Sequence, residues 1–201
     1  ATARRLGAIV TATDVRPAAR EQVESLGATF VGIESPEAEN AETEGGYARE
    51  MSEGYRRRQS ELFASELERQ DIVIGTALVP GRPAPRLIDA SMVATMRKGS
   101  VIVDLAAEHG GNCELSRPGE RVTAHGVTIL AHRNVPGRLA ASASALYARN
   151  LLAFLTPLID GGELGFDWDD EILAATVLTR DGAVVHPRFR SPPSGEAAGN
   201  G

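Results

Sequence analysis

Short apolar runs rich in β-branched residues alternate along this chain with amphipathic stretches, the sequence form of a parallel α/β sheet. Leu6 to Thr13 (LGAIVTAT) reads as a strand, Pro17 opens a helix at its first position with Gly27 just past its end, and Ala28 to Ile33 is the next strand. Ser35 to Gly46 is polar and acidic, broken by Pro36, Gly45 and Gly46, and reads as a flexible loop before a long helix from Tyr47 to Arg69. Asp71 to Ala77 is a strand, VPGRPAP a loop, Ser91 to Arg97 a helix stopped by Gly99, and Ser100 to Ala106 a further strand. The pattern then changes. Arg121 to Ala124 and Val127 to Ala131 flank His125-Gly126, a spacing that suits a tight hairpin. Leu139 to Leu155 reads as a helix, and Ile172 to Val185 as two strands around Arg180-Asp181-Gly182. Arg190 to Gly201 holds little that can be buried and is expected to be disordered.

Composition narrows the function classes. A net charge of -6 repels phosphate backbones, which argues against nucleic-acid binding. The single Cys113 excludes an internal disulfide framework, and four scattered histidines offer no zinc pattern. The richest apolar run, Leu151 to Ile159, is nine residues and includes Thr156 and Pro157, against the ~18 that a bilayer span requires. No signal peptide is read at the start either, since Arg4, Arg5 and Asp14 interrupt any apolar segment.

Dinucleotide-binding sheets place a Gly-rich turn after their first strand and an acidic residue about 20 positions later, at the end of the second strand, on the adenosine ribose. Asp14 has that setting, and counting back puts the glycines before residue 1, with Ala1 to Leu6 as the last turns of the intervening helix. The spacing leaves two readings open, a ribose ligand or a cap for the following helix. As a ribose ligand, its carboxylate repels a 2′-phosphate and favours NAD over NADP, while Arg16 offers a phosphate partner. Gln59 falls within the apolar stripe of Met51, Tyr55, Leu62 and Phe63, so its amide needs either backbone or ligand partners. Gly45-Gly46-Tyr47 reads as a close approach to a ligand or as a plain loop end, and Leu78, after a strand, as a wall for a nucleotide ring or as loop packing. Glu108, His109 and Cys113 form no convincing catalytic set, because neighbouring positions need not face one way and no base pairs with the thiol.

The segments RRLGAIVTATDVRP, AETEGGYAREM, TALVPGRPAP, GSVIVDLAAEHGGNC, NVPGR, SALYARNLLAFLTP and TRDGAVVHP, in this order up to about Pro187, resemble the NAD-binding alpha subunit (domain I) of proton-translocating NAD(P) transhydrogenase. The resemblance implies a Rossmann-like doubly wound parallel sheet lacking its first strand and Gly-rich turn. It divides the chain into a partial nucleotide domain at 1–138, a segment of a second α/β subdomain at 139–189 and a tail. It further implies hydride exchange between NAD(H) and NADP(H), the latter held by a partner domain, coupled to proton movement through a membrane-spanning partner. A homodimer, cytoplasmic and peripheral to the inner membrane, belongs to the same expectation. Cofactor-binding positions carried over from the family are Asp14, Val15, Arg16, Gly46, Tyr47, Gln59 and Leu78, with no catalytic or metal-binding residue. The family's contacts near the nicotinamide come from an N-terminal region outside this sequence. An alanine dehydrogenase-like oxidoreductase and an inactive nucleotide-binding fragment are the alternatives.

Overall fold

A parallel strand pair and a four-stranded sheet carry the first of two units in the computed structural model, which describes residues 1–33, 35–36, 51–79 and 81–190. The units are Ala1–Val135 and Pro136–Gly201. Gly46 and Tyr47, and the tail from residue 191 on, lie outside the described residues.

A helical turn, Thr2–Arg5, leads to β1 (Thr11–Ala12), then α1 (Ala18–Ser25) and β2 (Thr29–Phe30), which runs parallel to β1. The strand expected from Leu6 is therefore short. Leu6 and Gly7 finish the helical turn by donating to Thr2 and Arg4, and Ile9 is 96% exposed. Among the described residues β2 is the only ladder partner of β1. The doubly wound order requires a strand bonded to both β1 and the next sheet; no described residue takes that place.

Helix α2 (Glu53–Leu67) begins where the Ser52 hydroxyl accepts from the Tyr55 N–H, satisfying one orphan donor of the first turn. Its described start is later than the Tyr47 expected from periodicity, with 47–50 outside the described residues. Then come β3 (Ile72–Gly75), α3 (Ala90–Thr95, capped by Asp89), β4 (Val101–Asp104), β5 (Arg121–Ala124) and β6 (Val127–Leu130). The sheet order is β3-β4-β6-β5, parallel across β3, β4 and β6, with β5 antiparallel as a hairpin partner of β6. His125 and Gly126 both have positive φ, 52° and 82°, the mirror-image turn whose twist matches the hairpin.

Burial follows from the period of two along each strand. Ile102 on β4 and Val127 and Ile129 on β6 point inward against Leu67, Met92, Val93 and Met96. Full burial of each such side chain contributes about 2 kcal/mol. The same alternation turns Asp104, the last residue of β4, into the interior, where it is 1% exposed. On β3 the pattern is reversed at one edge, leaving Ile72 and Ile74 open to solvent.

The second unit contains α4 (Ala140–Leu155), with no buried residue and with Leu146, Tyr147, Leu151, Leu152 and Leu155 exposed. Two small hairpins follow, β7 (Ile159–Asp160) with β8 (Glu163–Leu164) and, further on, β9 (Thr179–Arg180) with β10 (Ala183–Val184). Between them lies α5 (Glu171–Thr176), where two strands around Arg180-Asp181-Gly182 were expected to begin at Ile172. The Asp170 carboxylate accepts from the Leu173 N–H and so starts a helical turn, and only the second half of that segment is extended. Among the described residues no helix is long and apolar enough to cross a membrane.

Candidate functional site

The carboxyl end of β1 delivers Asp14 to the wall of a cleft of about 420 Å³. Val15, Pro17, Phe30, Ile33 and Tyr55 supply its apolar surface, and Arg16, Arg20 and Ser35 its polar surface. Its volume lies in the range of small-molecule sites, roughly 300–1,000 Å³. Local chemistry explains the placement. The backbone turns at Asp14 because Oδ1 accepts from the Arg16 N–H at 2.9 Å, and the Arg16 side chain then folds back with Nε on Oδ1 at 3.0 Å and Nη2 on Oδ2 at 2.8 Å. Partial burial by itself raises the Asp14 carboxyl. The hydrogen bonds and charge of Arg16, with help from the Val15 N–H, outweigh it and hold the group below its ordinary value. A carboxylate, two guanidinium groups and an apolar wall therefore meet in one opening. Such a set can accept hydrogen bonds from vicinal hydroxyls while a flat ring lies on the apolar side.

Val15 and Ile33 pack against Met51 and Tyr55, which ties this strand end to the start of α2. Tyr55 is 3% exposed and lines the cleft. Gln59 stands one helical turn further along α2, half-buried, and does not line the cleft. Leu78, on the loop after β3, is 51% exposed and does not line it either. Asp14, Val15 and Arg16 are thus brought together, Gln59 shares the helix that closes one side, and Leu78 sits at the end of a different strand. Sequence reasoning did not identify Arg20, Phe30, Ile33 or Ser35 as lining residues. They reach the cleft only through the packing of α1 and β2, which carries no local signature.

The other acid and thiol candidates are occupied structurally. Glu108 Oε2 accepts from the Asn134 N–H at 2.8 Å, holding a residue whose φ is +48°. Cys113 is 2% exposed, and burial pushes its thiol up. Among the described residues no group of three or more His, Cys, Asp or Glu is placed to hold a metal ion.

A second polar centre, also missed in the sequence, lies between the ends of β3 and β4. The Asp104 carboxylate accepts from the Ala106 N–H at 3.0 Å on Oδ1, and on Oδ2 from the N–H groups of Asn112 at 2.9 Å and Cys113 at 3.0 Å and from Ser116 Oγ at 2.6 Å. Asn112, 1% exposed, in turn grips the loop that carries Leu78. Its Oδ1 accepts from the Ala77 N–H at 2.9 Å, while Nδ2 donates to the carbonyls of Ala77 at 2.9 Å and Pro85 at 2.8 Å.

Residues 1–187 match the family model described as Alanine dehydrogenase/PNT, C-terminal domain. The chain is 56% identical over 189 residues to an NAD(P) transhydrogenase alpha subunit of Rhodospirillum rubrum, covering 93% of this chain and 49% of that protein. The crystal structure of a transhydrogenase from Sinorhizobium meliloti is similar with a TM-score of 0.71 and 50% identity, covering 92% of this chain and 47% of that one. A structure of L-alanine dehydrogenase is similar with a TM-score of 0.65 and 26% identity, covering 93% and 46% respectively. The chain thus spans about half the length of these relatives.

Proposed function

Because this chain belongs to the alanine dehydrogenase/PNT C-terminal domain family, we propose that it is the NAD(H)-binding part of a proton-translocating NAD(P) transhydrogenase alpha component. The observation that carries this reading is Asp14 at the carboxyl end of β1, beside an open cleft, where a parallel α/β sheet places its ligands. The residues present fit a nicotinamide dinucleotide: an ionised acid for the ribose diol, the backbone of Val15 beside it and apolar side chains for a ring. When bound, that group supplies the hydride chemistry. The residues of this chain bind and orient, so no acid–base pair of its own is required.

In this reading Asp14 holds the ribose and excludes a 2′-phosphate by charge, Val15 and Arg16 border it, and Gln59 and Leu78 act on other parts of the same ligand. Gly46 and Tyr47 complete the set on family resemblance alone. NADP(H) is carried by a partner domain, a further partner spans the membrane and conducts protons, and the complex is a dimer with this part on the cytoplasmic face. The identity of 56% with a protein named as one subunit of a transhydrogenase supports an assembly of several components.

NADH fluorescence titration of the intact protein tests the site. Asp14→Asn is expected to raise the Kd by about 10-fold, the loss of one hydrogen bond to a charged acceptor. Unchanged affinity removes the assignment. Reduction of an NAD analogue by NADPH, measured beside alanine-dependent reduction of NAD, separates transhydrogenase from alanine dehydrogenase. Alanine-dependent turnover without NADPH-dependent turnover overturns the proposed reaction.

A further inference from the structure

Both N–H donors and the oxygen of the Asn112 carboxamide are engaged, and two of the three bonds go to a single residue 35 positions away, Ala77. The amide accepts from the N–H and donates to the C=O of that residue, as a neighbouring strand would. Ala77 and Pro85 lie outside the strands of the sheet, and a side chain replaces the missing ladder. The next residue is Leu78, at the carboxyl end of the strand.

The surroundings of Asn112 are built for this grip. Its own N–H is fixed by Asp104 Oδ2, so the side chain starts from a position set by β4. Gly75, the last residue of β3, lies so close that a Cβ there would stand 3.0 Å from Asn112 Oδ1 and 3.2 Å from its Cβ. Gly111, with φ +80°, would bring a Cβ to 2.8 Å from Asp104 Oδ2. Gly75 and the Asn112 carboxamide thus face the loop after β3, while Gly111 and Asp104 hold the segment from which Asn112 projects. Volume alone does not call for an amide there: an apolar residue at 112 fills the same space but deprives the Ala77 N–H and the Ala77 and Pro85 carbonyls of these bonds.

We propose that Asn112 is a positioning residue for the nucleotide site: its carboxamide, anchored through its backbone on Asp104, clamps the Ala77 backbone and thereby sets the direction in which Leu78 is presented to the ligand. This rests on the reading that Leu78 contacts NAD(H). The clamp acts through the loop and does not touch the reacting atoms.

Asn112→Asp in the intact protein provides the test, because its effect depends on pH. The ionised carboxylate keeps the acceptor for the Ala77 N–H but faces the carbonyls of Ala77 and Pro85 with no donor. The protonated carboxyl restores one donor. The ratio of the variant and wild-type Kd values for NADH at each pH reads the substitution, and Asn112→Ala, which adds no titrating group, is its control. That ratio is expected to be about 10 near pH 8 and to fall to about 2 near pH 5.5, whereas Asn112→Ala gives a raised ratio that does not change with pH. Leu78→Ala measures the contact itself. If it weakens NADH binding while Asn112→Asp shows a ratio near one, or one independent of pH, the clamp is overturned and the nucleotide site stands. If Leu78→Ala leaves the Kd unchanged, the reading of Leu78 as a ligand contact fails, and with it the role of Asn112 in binding. Should the variants not fold, amide hydrogen exchange of the wild type decides: the Ala77 N–H is expected to be protected like the ladder amides of β3, and exchange as fast as in an open loop overturns the proposal.

Discussion

Replacing Asp104 by asparagine keeps the shape of the side chain, removes its charge and turns one accepting oxygen into an NH2 donor. Three donors converge on Oδ2, from Asn112, Cys113 and Ser116, and one on Oδ1, from Ala106. The amide of Asp104→Asn therefore turns its oxygen to the crowded side and points its NH2 at the Ala106 N–H. One buried donor is left facing another, at about 1–3 kcal/mol, and three bonds lose the charge on their acceptor at roughly 0.5 kcal/mol each. The sum is about 3 kcal/mol, a large share of a typical domain's stability. With an m-value near 2 kcal/mol/M, the urea midpoint falls by roughly 1.5 M. The lone tryptophan, Trp168, lies in the other unit, so far-UV ellipticity rather than tryptophan fluorescence follows the transition. A midpoint that moves by less than about 0.3 M at unchanged slope would refute the reasoning, since four bonds to a buried carboxylate cannot be altered that cheaply.

Gly111→Ala forces a Cβ into the left-handed region and against Asp104 Oδ2, and is expected to lower stability by about 2 kcal/mol in the same urea assay. The Cys113 thiol, buried and pushed up, is expected to resist iodoacetamide in the folded protein and to react once urea exceeds the midpoint, followed by mass spectrometry. Asp14 titrates below its unfolded value, so its ionised form favours folding. That contribution is complete above roughly pH 4 and is lost as pH falls through the folded value. The urea midpoints of wild type and Asp14→Asn are accordingly expected to differ at neutral pH and to converge in acid; a constant difference contradicts the Arg16 pairing.

The sheet was legible where strand signals and stop signals coincide. The runs of β3 and β4 are dense in Ile and Val, Gly99 precedes β4, and His125-Gly126 marks the hairpin of β5 and β6. Periodicity failed where a single cap decides. The apolar run at Ile172 is compatible with either period, and the Asp170 carboxylate selects helix. The small hairpin at Ile159 has strands too short to show an alternation, although Gly161 and Gly162, both at positive φ, form its turn. The length of β1 was overestimated because a strand is only as long as its ladder, and ladder partners are not written locally. In the site the same division holds. Asp14 is announced by its place after a strand, whereas Phe30 and Arg20 reach the cleft through packing, and the grip of Asn112 on Ala77 spans 35 residues with no repeating pattern to betray it.

That span has a kinetic side. The Ala77 and Pro85 carbonyls are 35 and 27 residues from the side chain that binds them, a separation like that of the β3–β4 register, in which Ile72 faces Val101. If these bonds form beyond the folding barrier, their loss accelerates unfolding and leaves the refolding rate nearly untouched; if they form with the sheet, refolding slows as well. The unfolding and refolding limbs of Asn112→Ala therefore tell whether the loop after β3 is fixed together with the sheet or after it.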